Sequence, residues 1–191
     1  MDDDLRPMHA HELHALSQRV TRLSPDELTL PTPCAGWSVA DLLAHSIGQH
    51  RGFESAVRDG SAPAAAYNWI PYSRTNWDRS VDGLIDAFAT ADLAHRVKQV
   101  ELRPDGQLPV RVLVAAQLLD CAVHHWDLAI GVGDSYIPSA EVVDVVWSIA
   151  STIPADGRDT ADPAFAAPVQ LTGTLWDQTL AHLGRDPLPS T

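Results

Sequence analysis

The sequence has few cysteines, and it shows neither a signal peptide nor a membrane-spanning segment. It contains two cysteines, Cys34 and Cys121, which lie far apart and cannot build a disulfide framework. Residues 1–7 contain neither the basic stretch nor the apolar stretch of a signal peptide. No uninterrupted apolar run approaches the roughly 20 residues that a membrane span needs. These absences predict a cytoplasmic protein outside the membrane.

Basic residues are also scarce. Thirteen Lys and Arg face 25 Asp and Glu, which gives a formal net charge of -12. Over most of the surface such a protein would repel nucleic acid and anionic lipid, so we expect neither as a partner. A hydrophobic content of 45% excludes a disordered chain, and 191 residues are close to the usual size of one domain. We therefore expect residues 1–191 to form a single domain.

Helical patterns alternate with proline and glycine along the chain. Apolar residues recur at spacings of three and four, which is typical of amphipathic helices. Short connections between such helices favour antiparallel packing. A brief alternating segment at 96–102, followed by a turn, predicts a short β-hairpin, and 60–72 reads as a loop. The sequence thus predicts an all-α four-helix bundle with a possible short β-hairpin and extra C-terminal helices. The expected helices are about 7–23, from 38 to before 60, 75–93, 110–130, 140–153 and 175–183.

The start of the second helix is the best defined. Ser38 is a favourable N-cap because its hydroxyl can accept a hydrogen bond from a free backbone amide in the first turn. Asp41, three residues later, occupies the acidic position of a capping box. The helix that follows carries an apolar stripe, with His45 at the edge of the stripe. His45 can therefore face the interior of the bundle.

Asp120 and His124 form the most informative local pattern. Residues four apart on a helix project from the same face, so this carboxylate and this imidazole can reach one cation. His45, from a helix that can pack alongside, is the candidate third ligand. Two imidazoles and one carboxylate leave coordination positions open, which permits chemistry. Taken alone, an i,i+4 pair such as Asp120 and His124 is more often a helix-surface interaction than a metal site. His45 taken alone is more often a hydrogen-bonded histidine at the core edge.

Other side chains are expected around this site. Asp127, three residues after His124, can accept the second imidazole N–H and orient the ring. Trp37 and Trp126 are predicted to line a pocket and restrict water, although indoles are also ordinary core residues. Cys34 precedes a helix N-terminus, where a thiolate is favoured; the alternative, a small buried hydrophobe, is preferred.

Three segments carry a resemblance to a known family. Residues 32–45 (TPCAGWSVADLLAH), 120–129 (DCAVHHWDLA) and 181–187 (AHLGRDP) resemble the mycothiol-dependent maleylpyruvate isomerase-like proteins. These belong to the DinB-like metal-binding four-helix bundles, and the third segment is similar to the C-terminus of their short actinobacterial members. The order and spacing of the three segments agree with that family over most of the chain.

The resemblance implies a metal site and a thiol cosubstrate. It implies a divalent metal, zinc first with nickel or iron as alternatives, held by His45, Asp120 and His124. It also implies mycothiol as a small-molecule thiol that reacts with an electrophilic substrate, by thiol transfer or isomerisation. The characterised isomerase has Glu where Asp120 stands and carries a separate C-terminal domain for which this chain has no room. Maleylpyruvate isomerisation itself is therefore not expected.

Whether the chain is an enzyme stays open at this stage. The first class is a metal-dependent enzyme that uses a low-molecular-weight thiol. The second is a non-catalytic metal-binding bundle that acts as a structural or partner-binding protein, and a metal-dependent hydrolase is a further alternative. An open coordination position favours an enzyme, whereas a shell filled by protein favours a structural site. A homodimer is also left open.

Overall fold

The computed structural model describes residues 4–158, 165–170 and 172–187. Within these residues the chain is mainly helical, with a small three-stranded sheet and two short 3-10 turns at Glu27–Thr29 and Ala64–Tyr67. The helices are α1 (Arg6–Val20), α2 (Val39–Asp59), α3 (Arg74–Thr90), α4 (Val110–Gly131), α5 (Ala140–Ala150) and α6 (Leu175–His182), and the strands are β1 (Ser61–Ala62), β2 (Arg96–Gln99) and β3 (Leu108–Pro109).

Helices α1 to α4 form the predicted bundle. Helix α4 is buried on almost every face, because α1, α2 and α5 all pack against it. Its interior side chains join those of the other helices in one hydrophobic core that includes Leu13, Leu43, Trp77 and Leu118. The sequence prediction of an all-α four-helix bundle is confirmed. Among the described residues, no helix is long and apolar enough to cross a bilayer.

The N-terminus of α2 is capped as predicted. Asp41 donates its backbone N–H to Ser38 Oγ at 3.2 Å, and the Asp41 carboxylate accepts the Ser38 backbone N–H at 3.0 Å. This reciprocal pair satisfies two donors that the first helical turn would otherwise leave free. It fixes the first residue of α2 and therefore the rotation at which His45, two turns later, leaves the helix.

The predicted hairpin is present and has one more strand than expected. β2 pairs antiparallel with β3, with Arg96 opposite Pro109. β1 adds in parallel to β2, with Ser61 opposite Lys98. β1 lies within 60–72, which was expected to be a loop. Two residues are too few for an alternating pattern, so only the backbone partner on β2 makes this segment a strand.

The extra C-terminal helices are also present. Helix α5 packs on α4, and α6 packs on α5. Arg158 ties the connection together, because its guanidinium donates to Pro154 O at 2.9 Å and to Ala166 O at 3.1 Å. After α6 the chain turns at Gly184, whose φ of 79° is in the left-handed region that glycine adopts readily. This turn brings Arg185 back to α4.

Two histidines are buried in the bundle away from these connections. His9 on α1 is 1% exposed, and burial together with the neighbouring His50 lowers its pKa to about 3. His50 on α2 is 2% exposed, and burial lowers its pKa to about 4. The negative charge of Asp120 opposes both shifts, while His45 and His124 add to the shift of His50. The folded protein therefore holds both rings neutral near pH 7.

We expect acid to destabilise the fold through these two rings. Their folded pKa values lie below the unfolded value of about 6.5, so the unfolded chain binds more protons in acid. Their contribution is fully present above about pH 6.5 and is lost as the pH falls toward the folded values. At pH 5 each ring would cost on the order of 2 kcal/mol. Urea unfolding at pH 7, 6 and 5 measures this. His9→Leu should remove only the share of one ring from the slope, because burial also lowers the pKa of His45 and His125 to about 4. An unfolding free energy that stays constant over this range would contradict the prediction.

Candidate metal centre

Three side chains from two helices meet at one side of the bundle. Asp120 and His124 leave the same face of α4, and His45 leaves the facing side of α2. One potential ligand atom from each of the three lies within 4.8 Å of the others. The rings of His45 and His124 are 5.3 Å apart, centroid to centroid, and nearly perpendicular. The structure thus brings together the three residues that the sequence singled out.

The spacing of these atoms suits one cation. His124 Nε2 lies 3.3 Å from Asp120 Oδ1. Two ligands bound tetrahedrally at the usual zinc distances of about 2.0–2.1 Å would lie about 3.3 Å apart. The donor set of two imidazole nitrogens and one carboxylate oxygen is also one that zinc and related metals accept. The residues therefore fit a divalent metal, with His45, Asp120 and His124 as the residues that would hold it.

The electrostatics of the site centre on His124. Burial opposes a charge on its ring, but Asp120 and Asp127 on either side outweigh burial and raise its pKa well above the usual value. Burial alone would raise the pKa of Asp120, yet His124 lowers it to about 2. On His45, burial and the neighbouring His124 lower the pKa to about 4. The site therefore combines an ionised carboxylate with a neutral imidazole, and His124 is held between two anions.

Asp127 lies behind His124, as predicted for a residue that orients the ring. Its Oδ2 accepts a hydrogen bond from His124 Nδ1 at 2.9 Å. Because Nδ1 is hydrogen-bonded to Asp127, the other ring nitrogen, Nε2, is left to face Asp120 and the candidate metal position. Asp127 is 0% exposed, and although burial raises the pKa of its carboxyl, Arg185 and His124 together lower it to about 2. A buried, ionised carboxylate thus holds the ring in place.

Arg185 contacts the site, although the sequence alone did not identify it as a site residue. Its Nη2 donates to Asp127 Oδ2 at 2.9 Å, and its side chain is only 11% exposed. The interaction joins the segment after α6 to α4. The only sequence signal for it is its place in the 181–187 motif, because nothing local indicates where a residue beyond the last helix will pack.

Cys34 differs from its preferred interpretation as a small buried hydrophobe. It is half-buried, and its thiol donates to Asp127 Oδ2 at 3.2 Å. Arg185 Nη2 lies 3.6 Å from Cys34 Sγ. Cys34, His124 and Asp127 could also be considered a metal-binding group, since their atoms lie within 4.8 Å of one another. The guanidinium of Arg185 already supplies the positive charge there, so the other face of His124, toward His45 and Asp120, is the better candidate for a metal position.

Tryptophans flank the open side of the site. The ring of Trp37 lies 4.8 Å from that of His45 and 4.7 Å from that of Trp69, which is 45% exposed. Asp120 keeps 27% of its side chain exposed, so solvent reaches the centre. Trp126 is 5% exposed and belongs to the hydrophobic core. Its predicted place in the pocket stays a prediction, while Trp69, which the sequence analysis did not select, takes the place beside Trp37.

The fold and site together define a helical-bundle protein with a candidate divalent-metal centre between α2 and α4. Residues 9–129 match the sequence model of the mycothiol maleylpyruvate isomerase N-terminal domain. Two uncharacterised proteins of Mycobacterium tuberculosis, from strains CDC 1551 / Oshkosh and ATCC 25618 / H37Rv, are each 30% identical to this chain over 139 residues. The matched part is 68% of this chain and 69% of each relative.

The chain therefore belongs to the mycothiol maleylpyruvate isomerase N-terminal domain family, which confirms the family predicted from the three motifs. A crystal structure of a histidine-to-alanine mutant of the mycothiol-dependent maleylpyruvate isomerase aligns with a TM-score of 0.61. The alignment covers 78% of this chain and 69% of that chain at 14% sequence identity. It confirms the fold.

Proposed function

We propose that this protein is a metal-dependent enzyme that uses a low-molecular-weight thiol of the mycothiol type, for thiol transfer to an electrophile or for thiol-assisted isomerisation. The observation that carries the proposal is the convergence of His45, Asp120 and His124 at a solvent-accessible place. Membership of the family supports the thiol, because the family is named for mycothiol and so is the solved structure that shares the fold.

The charge of the donor set favours a thiol nucleophile. Once a divalent ion had replaced the proton at His124 Nε2, two neutral imidazoles and one carboxylate would leave that ion with net positive charge. With a divalent metal held by His45, Asp120 and His124, the pKa of a thiol at the open position would be lowered, and a nucleophile would be available near pH 7. Asp120 is the one anionic ligand in the set, so the set neutralises only part of the charge. Zinc is the first choice of metal for these ligands.

Three further residues, Asp127, Arg185 and Trp37, support the arrangement of the proposed ligands. Asp127 keeps the His124 ring oriented, and Arg185 keeps Asp127 ionised and in place. Trp37 covers one side of His45 and limits the access of water. Since Arg185 lies outside residues 9–129 and yet contacts Asp127, we further propose that the whole chain acts as one domain.

A non-catalytic role for the metal is the main alternative, and it requires a closed coordination shell. In the described part of the chain, the candidate group at this position consists of three residues. Structural zinc sites usually have four protein ligands, whereas catalytic sites usually have three and an exchangeable fourth position. The composition of the group therefore favours the enzyme over the structural protein.

Thiol binding can be observed directly in protein loaded with Co²⁺. We expect mycothiol to add a near-ultraviolet thiolate-to-cobalt band and to change the visible bands, because a thiolate enters the coordination shell. The S-methylated thiol is the control and should leave the spectrum unchanged. A cobalt spectrum that mycothiol does not alter, while the metal stays bound, would contradict the thiol-dependent function.

A further inference from the structure

Trp69 is an exposed indole at the edge of the metal centre. It is 45% exposed, although its ring lies 4.7 Å from that of Trp37 and 6.0 Å from that of His45. The interplanar angle between the two indoles is 78°, which is an edge-to-face contact. Trp37, Trp69 and His45 thus form a continuous surface that we call the aromatic wall. One of its three members is a proposed metal ligand.

The backbone of the fold places Trp69 there. The segment containing Trp69 lies against α2 where that helix has two glycines. A Cβ at Gly48 would come within 2.6 Å of Asn68 O, and one at Gly52 within 2.2 Å of the Tyr67 ring. Ile70 also donates its backbone N–H to Ala44 O, one residue before His45, at 3.1 Å.

Because the segment around Trp69 is held closely against α2, the exposure of Trp69 is fixed by the fold. Tyr67, two residues earlier, is 3% exposed, so the chain is packed on one side of Trp69 and hydrogen-bonded to α2 on the other. An anchored segment that turns an indole toward solvent leaves apolar area uncovered beside His45, a proposed ligand of the metal. Aromatic side chains next to a small number of polar groups are typical of ligand-binding sites.

The chemistry of the wall selects among ligands. Indole faces attract cations and stack on planar π systems. A cationic group is disfavoured here, because it would lie beside a metal centre of net positive charge. A planar neutral or anionic group has no such penalty. The wall is therefore suited to an aromatic or extended conjugated group next to the atom that approaches the metal.

We propose that Trp69 is a specificity-determining residue, and that the aromatic wall selects electrophilic substrates with an aromatic or extended planar conjugated group. The inference rests on the proposed metal centre and deepens it by naming the substrate class. It makes no use of the thiol, so thiol binding and substrate selection can fail separately.

Hydroxamates of different shape test the inference without knowledge of the substrate. Benzohydroxamate, cyclohexanecarbohydroxamate and acetohydroxamate coordinate a metal through the same group and differ in the attached planar ring, puckered ring or methyl. Their dissociation constants are measured on Co²⁺-loaded protein from the visible spectrum, relative to their binding to free Co²⁺. We expect benzohydroxamate to bind about tenfold more tightly than acetohydroxamate and several-fold more tightly than the cyclohexane compound.

Three variants locate the preference. Trp69→Ala should reduce the preference for benzohydroxamate to about twofold, and Trp69→Phe should keep most of it, since both expectations follow from ring stacking. Trp147→Ala is the matched control, because Trp147 is a half-buried indole on α5 that contacts His182 and is not part of the aromatic wall. It should behave as the wild type.

The outcomes separate the inference from the proposed function. Equal affinity for the three hydroxamates, equal affinity for the planar and puckered rings, or an unchanged preference in Trp69→Ala would overturn the role of the wall while leaving the metal centre intact. Failure of the protein to bind Co²⁺ would instead overturn the proposed function, and the inference with it.

Discussion

Replacement of His124 by alanine is expected to abolish stoichiometric binding of a divalent metal. His124 Nε2 is the proposed ligand atom and lies 3.3 Å from Asp120 Oδ1, and the ring is buried and fixed by Asp127. Without it, one imidazole and one carboxylate remain, from two different helices. Loss of a partner that only orients a ligand typically costs 10–100-fold in metal affinity. Loss of the ligand itself should cost more than about 100-fold.

The measurement is metal content after dialysis of protein purified without a histidine tag, together with zinc affinity from competition with a chromophoric chelator. His14→Ala is the control, because His14 is exposed on α1 and should have no influence on the centre. His124→Ala with its full metal content would show that the assigned site is wrong. Metal lost equally from His14→Ala would show that binding is adventitious.

Replacement of Arg185 by methionine is expected to destabilise the fold and to weaken metal binding at the same time. Asp127 is fully buried, and Arg185 is the cation at 2.9 Å from its carboxylate. Removal of one partner of a buried ion pair leaves an uncompensated charge, which typically costs about 3–5 kcal/mol. The hydrogen bonds to Cys34 and His124 remain and should keep the loss near the lower value. Because His124 is then less firmly oriented, metal affinity should fall by about 10–100-fold.

Surface and double variants make this prediction specific. Arg74→Met breaks an ion pair with Asp78 of similar length, 2.8 Å, in which both side chains are about half exposed. That change should cost less than about 1 kcal/mol. Arg185→Met combined with Asp127→Asn should recover part of the lost stability, since the buried negative charge is gone. Urea unfolding gives these values, and equal effects of Arg185→Met and Arg74→Met would contradict the buried-pair interpretation.

The local structure was predictable because it depends on residues close together in the sequence. Periodic apolar residues located the helices to within a few residues, and Ser38 with Asp41 located the start of α2. Differences occur mainly at helix ends, where periodicity carries little information. Helix α5, for example, ends at Ala150 and was expected to continue to 153. β1 was missed because its only determinant is pairing with β2.

The candidate site also contains residues that one helix places together and a residue that only the packing of two helices brings close. Asp120, His124 and Asp127 lie on one helix, so helical geometry alone places them near one another. His45 was selected as a third ligand from its position at the edge of an apolar stripe, and the structure brings it to the other two. Their binding of a metal stays a prediction that the His124→Ala experiment tests.

The sequence by itself determined the helical bundle, the family and the identities of the three candidate ligands, because caps, helical periodicity and motif spacing are local properties. Only the tertiary structure decided that Arg185 supports Asp127, that Cys34 donates to the same carboxylate and that Trp69 joins Trp37 beside His45. These contacts depend on how helices and connections pack across long separations in the chain. Gly48 and Gly52 of α2 allow the segment of Tyr67 and Asn68 to pack closely against the helix. The sequence pattern of α2 does not predict this contact, because it depends on a segment outside the helix.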